Sequence, residues 1–328
     1  MTPKPGIYYD VPYEEYAKWS GLNSGAVSQI CVSPKHARAF LQGELSRGDT
    51  SAMRFGRQIH TMILEPHKTG EIVIAQPCMA ALKSGLSKGL PCGLSGVWRK
   101  GAEWRCGKHV EDGFEPASDY LTASEMAHAC RMVDSAHNGP AADMFSRPAK
   151  SEVSLLFEYR GLLMKGRVDR LNDDLDMLLD LKKSQVGEAG LESCQKKIMN
   201  YGYHRQMALY RLGVELLTGK RPKRAAWVFL EDGPPYDVNV IYALEQDLEI
   251  GLEEVDSALQ RYKACLDRGE FSGYLEGGAW LGALPDWYKK RHVSMKEHDD
   301  GRNAAEPAAP AREDYYGAGY DSERGTWT

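Results

Sequence analysis

The chain has 328 residues, with 41 basic against 46 acidic side chains and a formal net charge of −5. That length suffices for one large domain or two modest ones with an ample core. No apolar run is long enough to span a bilayer and the opening MTPKPGIYYD has no signal-peptide apolar stretch, so a soluble, cytoplasmic protein is expected. From residue 293 onward there are four basic and eight acidic residues, which leaves 37 basic and 38 acidic in the first 292. A body this close to neutral neither demands nor excludes a polyanionic partner, because acidic metal sites cancel basic patches in the sum. Seven cysteines form no even disulfide framework, and clustered ones read better as metal ligands than as bridges.

In chain order, GIYYDVPYEEYAKWSGLNSGAVSQI mixes aromatics with turns. Asn23 or Ser24 then caps a short helix, and Ser33-Pro34 starts another, PKHARAFLQ. The stretch SAMRFGRQIHTMIL has the spacing of an amphipathic helix, with Met53, Phe55, Ile59, Met62 and Ile63 as its apolar stripe and Glu65-Pro66 as its end. His60 lies beside that stripe, as a satisfied core residue or as a ligand.

The segment from Cys78 to His109 is different in kind. Cys78, Cys92, Cys106 and His109 follow the pattern C-x13-C-x13-C-x2-H in a Gly-rich stretch too poor in apolar residues to build its own core. Three thiolates and an imidazole make a closed tetrahedral zinc set, and metal binding supplies folding free energy on the order of 10 kcal/mol in small modules of this type. Between Lys83 and Lys108 there are six basic residues and one acidic residue, with Trp98 and Trp104 interleaved. That combination suits a nucleic-acid contact.

A helix capped at Ser124 follows over Ala123 to His137, and SEVSLLFEY reads as a strand that begins near Glu152. The carboxylate of Glu152 is either an exposed edge group or a metal or water contact. Two further strands are expected in LLMKGRVDRLNDDLDMLLDLKK, joined by a turn at Asn172-Asp173-Asp174. This tip lacks the Gly and the later Glu of an EF-hand loop. The hairpin sets Asp169 beside Asp180 on neighbouring strands, and strand alternation puts Asp180 and Lys182 on one face. A carboxylate pair suits a hard divalent cation, and a nearby ammonium can orient a water and offset phosphate charge, which is equipment for metal-assisted hydrolysis. Beyond it, one helix is expected over Leu191 to Leu217, weak at Gly202, with Met199, Tyr203, Gln206 and Tyr210 on one face. RAAWVFLED and YDVNVIYAL read as strands and LEEVDSALQRYKACLDRG as an amphipathic helix. Gly277 to Arg291 reads as an aromatic and basic cap, and the remainder as a disordered acidic tail.

These strings together resemble the RecE-type exonuclease (exonuclease VIII) branch of the PD-(D/E)XK nuclease superfamily, from Gly6 to about Lys290. The resemblance rests on the aromatic opening, FGRQIHTMILEP, KSEVSLLFE, KGRVDRL, LLDLKKS and YGYHRQMALY, with Val168 where the family name has Pro. It implies an α/β (α+β) fold with a mixed central sheet flanked by helices. The implied domains are a nuclease domain over 1–292, a zinc-binding insertion over 76–112 within it, and the tail over 293–328. His60, Asp169, Asp180 and the Leu181 carbonyl would ligate one or two Mg²⁺ or Mn²⁺ ions and Lys182 would position the attacking water. Gln206 and Tyr210 would orient the lysine, water or phosphate, with Glu152 as a further candidate. The Cys78–His109 segment is similar to short Cys-Cys-Cys-His zinc motifs of phage proteins and departs from relatives with a shorter loop there; one structural Zn²⁺ is expected.

The activity so implied is a magnesium-dependent 5′ to 3′ exonuclease on double-stranded DNA ends, working with a single-strand annealing or recombination protein and forming a homo-oligomeric ring. Two other readings are a helicase- or CRISPR-associated nuclease of the same superfamily acting on single strands, and a DNA-binding protein with a vestigial nuclease core. The first of these often carries four cysteines split around the nuclease core, unlike the single cluster here. The second sits poorly with an intact Asp169, Asp180 and Lys182.

Overall fold

A computed structural model describes residues 2–45, 48, 50–274, 284, 286, 288–290, 320, 321, 326 and 327. The chain opens with strand β1 (Gly6–Tyr8) and helices α1 (Tyr13–Ala17), α2 (Ser24–Val32), α3 (Pro34–Leu41) and α4 (Ser51–Leu64). Local chemistry sets these boundaries. The Asn23 side chain accepts the Ala26 N–H at 2.8 Å to start α2, and Ser33 caps α3 with Pro34 in its first turn. An insertion comes next with three short strands, β2 (Trp98–Lys100), β3 (Glu103–Arg105) and β4 (Glu115–Pro116).

Helices α5 (Ala123–Asn138) and α6 (Ala142–Ser146) lead into the central strands β5 (Ala149–Tyr159), β6 (Leu162–Asn172) and β7 (Met177–Ser184). The cap of α5 is Thr122 rather than Ser124. Its hydroxyl accepts the Glu125 N–H while the Glu125 carboxylate accepts the Thr122 N–H, so a reciprocal pair outcompetes a single serine. The long helix expected after β7 is two, α7 (Leu191–Tyr201) and α8 (Tyr203–Thr218), parted at Gly202 with φ +68°. That left-handed residue ends α7 and turns the chain before α8 begins. Met199, expected on the same face as Tyr203, Gln206 and Tyr210, instead stands 63% exposed. Strands β8 (Arg224–Glu231) and β9 (Val238–Tyr242) and helix α9 (Glu245–Arg268) complete the body.

The main sheet runs β1-β5-β6-β7-β8-β9 and is mixed: β7 and β8 are parallel, joined through α7 and α8, and the other neighbours are antiparallel. Helices cover both faces. On one face Ala26, Val27, Ile30, Val214 and Val255 pack with Leu155, Phe157, Leu178, Trp227 and Phe229. On the other, Ile59, Ile63, Ala129 and Met132 pack with Leu179, Leu181, Val228 and Leu230. This three-layer α/β arrangement has the mixed sheet flanked by helices that the sequence implied.

The chain divides into a unit over residues 1–276 and a second over 277–328; of the latter, β10 (Tyr320–Asp321) pairs antiparallel with β11 (Thr326–Trp327). The expected aromatic cap at 277–291 and the acidic tail lie almost wholly outside the described residues. Among the described residues no helix is long and apolar enough to cross a membrane.

Candidate active site and a second ligand cluster

The β6–β7 ladder pairs only Arg170 with Leu179 and Leu171 with Leu178. Continued, that register would set Asp169 opposite Asp180; instead the strands part, and the Asp169 carboxylate accepts the Leu181 N–H at 2.7 Å. The fork exposes side chains from three elements. Ligand atoms of His60 on α4, Glu152 on β5 and Asp169 on β6 lie within 4.8 Å of one another. His60 Nδ1 is 3.7 Å from Asp169 Oδ2. Sequence reasoning had His60, Asp169 and Asp180 as the ligand group, with Glu152 as a further candidate for a metal or water contact. Among the described residues the group of three holds Glu152, while Asp180 pairs with Lys182 at 2.8 Å.

Glu152 breaks the β5–β6 ladder, which resumes on either side with Ser151 opposite Arg170 and Val153 opposite Val168. Its φ is +52°, a conformation strained for a non-glycine residue and kept only where the surroundings hold it. Arg167 does the holding. Its Nε donates to the Glu152 carboxylate, its Nη1 donates to the Val11 carbonyl at 3.1 Å, and its guanidinium lies 5.8 and 5.7 Å from the rings of Tyr13 and Tyr16. The aromatic opening of the chain is thereby tied to the fork. Arg167 was missed in the sequence, although its position two residues before Asp169 on the same strand was a signal.

A second row faces α8. Lys182 Nζ donates to Gln206 Oε1 at 3.3 Å, and Gln206 Nε2 donates to the Tyr210 hydroxyl at 2.9 Å. The Tyr203 ring is 4.4 Å from the ammonium. Tyr210 can lie against β6 because position 166 is glycine; a Cβ there would come within 2.7 Å of the Tyr210 ring.

Burial and charge set the protonation of the fork. Burial and the Asp180 carboxylate hold the Asp169 carboxyl well above its usual range. Burial pushes His60 down, against the opposing pull of Glu152, Asp180 and a Leu181 backbone contact, which keeps the imidazole neutral. For Lys182, burial works to lower the pKa, but Asp180 and Asp169 outweigh it and raise it, so the side chain is an ammonium. The Asp180 carboxylate is buried; its Oδ2 is held by the Lys182 ammonium at 2.8 Å, and its Oδ1 receives no hydrogen bond. A neutral imidazole, two more carboxylates and the unpartnered Asp180 Oδ1 are donor chemistry that fits a hard divalent cation, whose charge would offset the repulsion.

The second cluster is local. Sγ atoms of Cys78, Cys92 and Cys106 and a ring nitrogen of His109 lie within 4.8 Å of one another. Cys92 and Cys106 sulfurs are 3.8 Å apart, and His109 Nδ1 is 3.7 Å from Cys78 Sγ and 3.3 Å from Cys106 Sγ. These are not disulfide distances. A tetrahedron with zinc–sulfur bonds of about 2.3 Å has edges of about 3.8 Å, so the four groups fit zinc. Burial acts to raise the Cys78 pKa but is outweighed by the Cys106 and Ala80 backbone N–H groups and by His109, which lower it to about 7. Trp104, read from the sequence as an aromatic for nucleic-acid contact, is 5% exposed and forms a small core with Tyr120 and Ala75. The module's few apolar groups are spent on its own packing.

Among curated proteins none matches this sequence. The chain is similar to the solved structure of a candidate exonuclease from Eubacterium rectale, at 13% identity over 85% of this chain and 97% of that one, with a TM-score of 0.51. It is also similar to a phage-related exonuclease from Haemophilus somnus, at 12% identity over 76% of this chain and 97% of that one, with a TM-score of 0.33. At such identity the first likeness is one of fold. The family model described as a PDDEXK-like domain of unknown function, DUF3799, matches residues 23–279, a span that contains β5, β6, β7 and the fork, and the chain belongs to that family.

Proposed function

We propose that the protein is a divalent-metal-dependent deoxyribonuclease of the RecE exonuclease type, which degrades duplex DNA from the 5′ end and leaves a 3′ single strand. The observation that carries the reading is the fork: Lys182, a charged ammonium, stands between Asp180 and Gln206 beside the group formed by His60, Glu152 and Asp169. The PDDEXK-like family to which the chain belongs and the exonuclease name of the Eubacterium rectale relative support it by likeness alone.

His60, Glu152, Asp169, Asp180 and the Leu181 carbonyl would hold Mg²⁺ or Mn²⁺, which when bound polarises a phosphodiester and acidifies water. This chain's own residues do the rest. Lys182 keeps its proton, so it acts by donating hydrogen bonds to a water oxygen and by offsetting phosphate charge, and not as a base. Gln206, fixed by Tyr210, aims the ammonium. Arg167 holds Glu152 in its strained conformation. Cys78, Cys92, Cys106 and His109 would hold one structural Zn²⁺. By the same resemblance, the partners are DNA ends and a single-strand annealing protein, the assembly is a homo-oligomeric ring, and the place of action is the cytoplasm.

The test is strand-resolved digestion of an end-labelled duplex with and without Mg²⁺. Magnesium-dependent release of nucleotides from the 5′ side of a blunt duplex is expected. Internal cutting, preference for single strands, or binding without cleavage would each overturn the reading.

A further inference from the structure

The Cys-Cys-Cys-His module is bolted to the helix that carries His60, through a continuous series of contacts. Trp104 and Cys106, two residues apart, are both buried. The Trp104 ring meets Tyr120 edge-on, with centroids 5.5 Å apart and planes at 67°. The Tyr120 ring lies 3.9 Å from the guanidinium of Arg54 on α4, and the Tyr120 carbonyl accepts a hydrogen bond from the same group.

Arg54 is 6% exposed. Its Nη2 is 2.6 Å from the Glu125 carboxylate, which also closes the cap of α5, so one guanidinium joins α4, the return segment of the module and α5. Backbone bonds reinforce the joint, with Leu121 N–H donating to Val73 and Ala75 N–H to Leu121, both at about 2.9 Å or less. A second pair, Arg57 with Asp119 at 3.2 Å, spans the same seam one turn further on. From Arg54 to His60 is about 9 Å along the helix axis, at about 1.5 Å per residue.

A small module with little core is a two-state element whose folded state is selected by its metal. From these contacts we propose that loading of the Cys78–Cys92–Cys106–His109 cluster sets the position of α4, through Trp104, Tyr120 and Arg54, and thereby the affinity of the His60–Glu152–Asp169 group for its divalent cation. Arg54 is a positioning residue in this scheme. The inference rests on the zinc and metal-site readings above and goes beyond them, because a zinc module that only stabilised itself would leave the fork unaffected. Coupling between two binding equilibria is reciprocal, so occupancy of the fork must strengthen zinc binding by the same factor that zinc strengthens binding at the fork.

The experiment uses the full chain. Zinc content is measured first on purified protein; its absence would overturn both the zinc reading and the coupling. Mn²⁺ binding is then followed by calorimetry in the parent protein and in Arg54→Met and Trp104→Ala, with folding checked by near-ultraviolet circular dichroism. About five- to tenfold weaker Mn²⁺ binding is expected in each variant, with partial recovery in Arg54→Lys. Should a variant fail to fold, the unaltered protein still decides: zinc affinity, measured by competition with a chelator, should rise by about the same factor when Mg²⁺ is saturating. Zinc bound one per chain with an affinity indifferent to Mg²⁺ would overturn the coupling and leave the zinc reading standing.

Discussion

The His60–Glu152–Asp169 group and the Cys78–Cys92–Cys106–His109 group each gather their ligand atoms within 4.8 Å, from opposite kinds of chain. The first draws on the adjacent strands β5 and β6 and on α4, which is remote from them in sequence, within a body whose sheet is backed on both faces by packed apolar side chains. Its side chains are held by the fold even against their own chemistry, as the raised Asp169 carboxyl and the positive φ of Glu152 show. The second draws on loops and three short strands, where Leu86, Leu90, Leu94 and Met79 stay exposed and little is buried beyond Trp104 and its neighbours. There, on the zinc reading proposed above, the four clustered groups would hold the fold. A site imposed by the core can store strain and unfavourable charge; a site in a module without a core must supply its own stability.

The comparison breaks most visibly at the fork. Asp180→Ala or Asp169→Ala should lower magnesium-dependent cleavage by about 10³-fold or more, in the range set by losing a preorganised charged group, while circular dichroism and thermal unfolding show a folded protein. Lys182→Ala should fall by at least about 10²-fold with cation binding retained, since its role is to orient and offset charge. Substantial magnesium-dependent cleavage by either Asp variant would remove the fork as the active site.

The module should respond in the converse way. Cys92→Ser, or zinc removal, should expose residues 78–109 to limited proteolysis and erase their hydrogen-exchange protection while the central strands keep theirs. Uniform loss of protection across the molecule would mean that the two regions are not built differently.

Arg167→Met tests how the fork holds its strained member. Freed from its partner, Glu152 should relax, and about tenfold more Mg²⁺ should be needed for half-maximal cleavage, within the range of lost support to a metal ligand. An unchanged magnesium requirement would show that the β5 kink holds Glu152 without help.

The smallest effect expected concerns stability. Above the ordinary carboxyl value of 3.8 and up to the raised native value, folded Asp169 keeps a proton that the unfolded chain has lost, so stability without metal falls as pH rises through that window. Asp169→Asn should therefore raise the Tm of the metal-free protein at pH 8 by a few degrees, and Mg²⁺ should raise the Tm of the parent but not of the variant. A lower Tm in the variant would show that the Leu181 N–H bond outweighs the cost of burying the charge.

Much of this was legible along the chain. Alternation and turn composition marked β6, β7 and the Asp180–Lys182 face, because a strand's period is local. Spacing and the Gly-rich, apolar-poor composition marked the four members of the Cys-Cys-Cys-His group, because that cluster closes within one segment of chain. Helix α4 was visible from its apolar stripe, yet whether His60 served core or ligand was open. Three things belonged to the tertiary structure. The split at Gly202 took Met199 off the face of Gln206 and Tyr210, since a left-handed residue redirects a helix whatever the periodicity around it. Glu152 came to stand with His60 and Asp169 while Asp180 paired with Lys182, because the fork between β6 and β7 decides which side chains meet. Arg167 and Arg54 acquired partners on elements distant in sequence, Glu152 and Val11 for one and Tyr120 and Glu125 for the other. Periodicity and spacing report what neighbours along the chain can do; which charged groups face each other is set only when the sheet and its helices close around them.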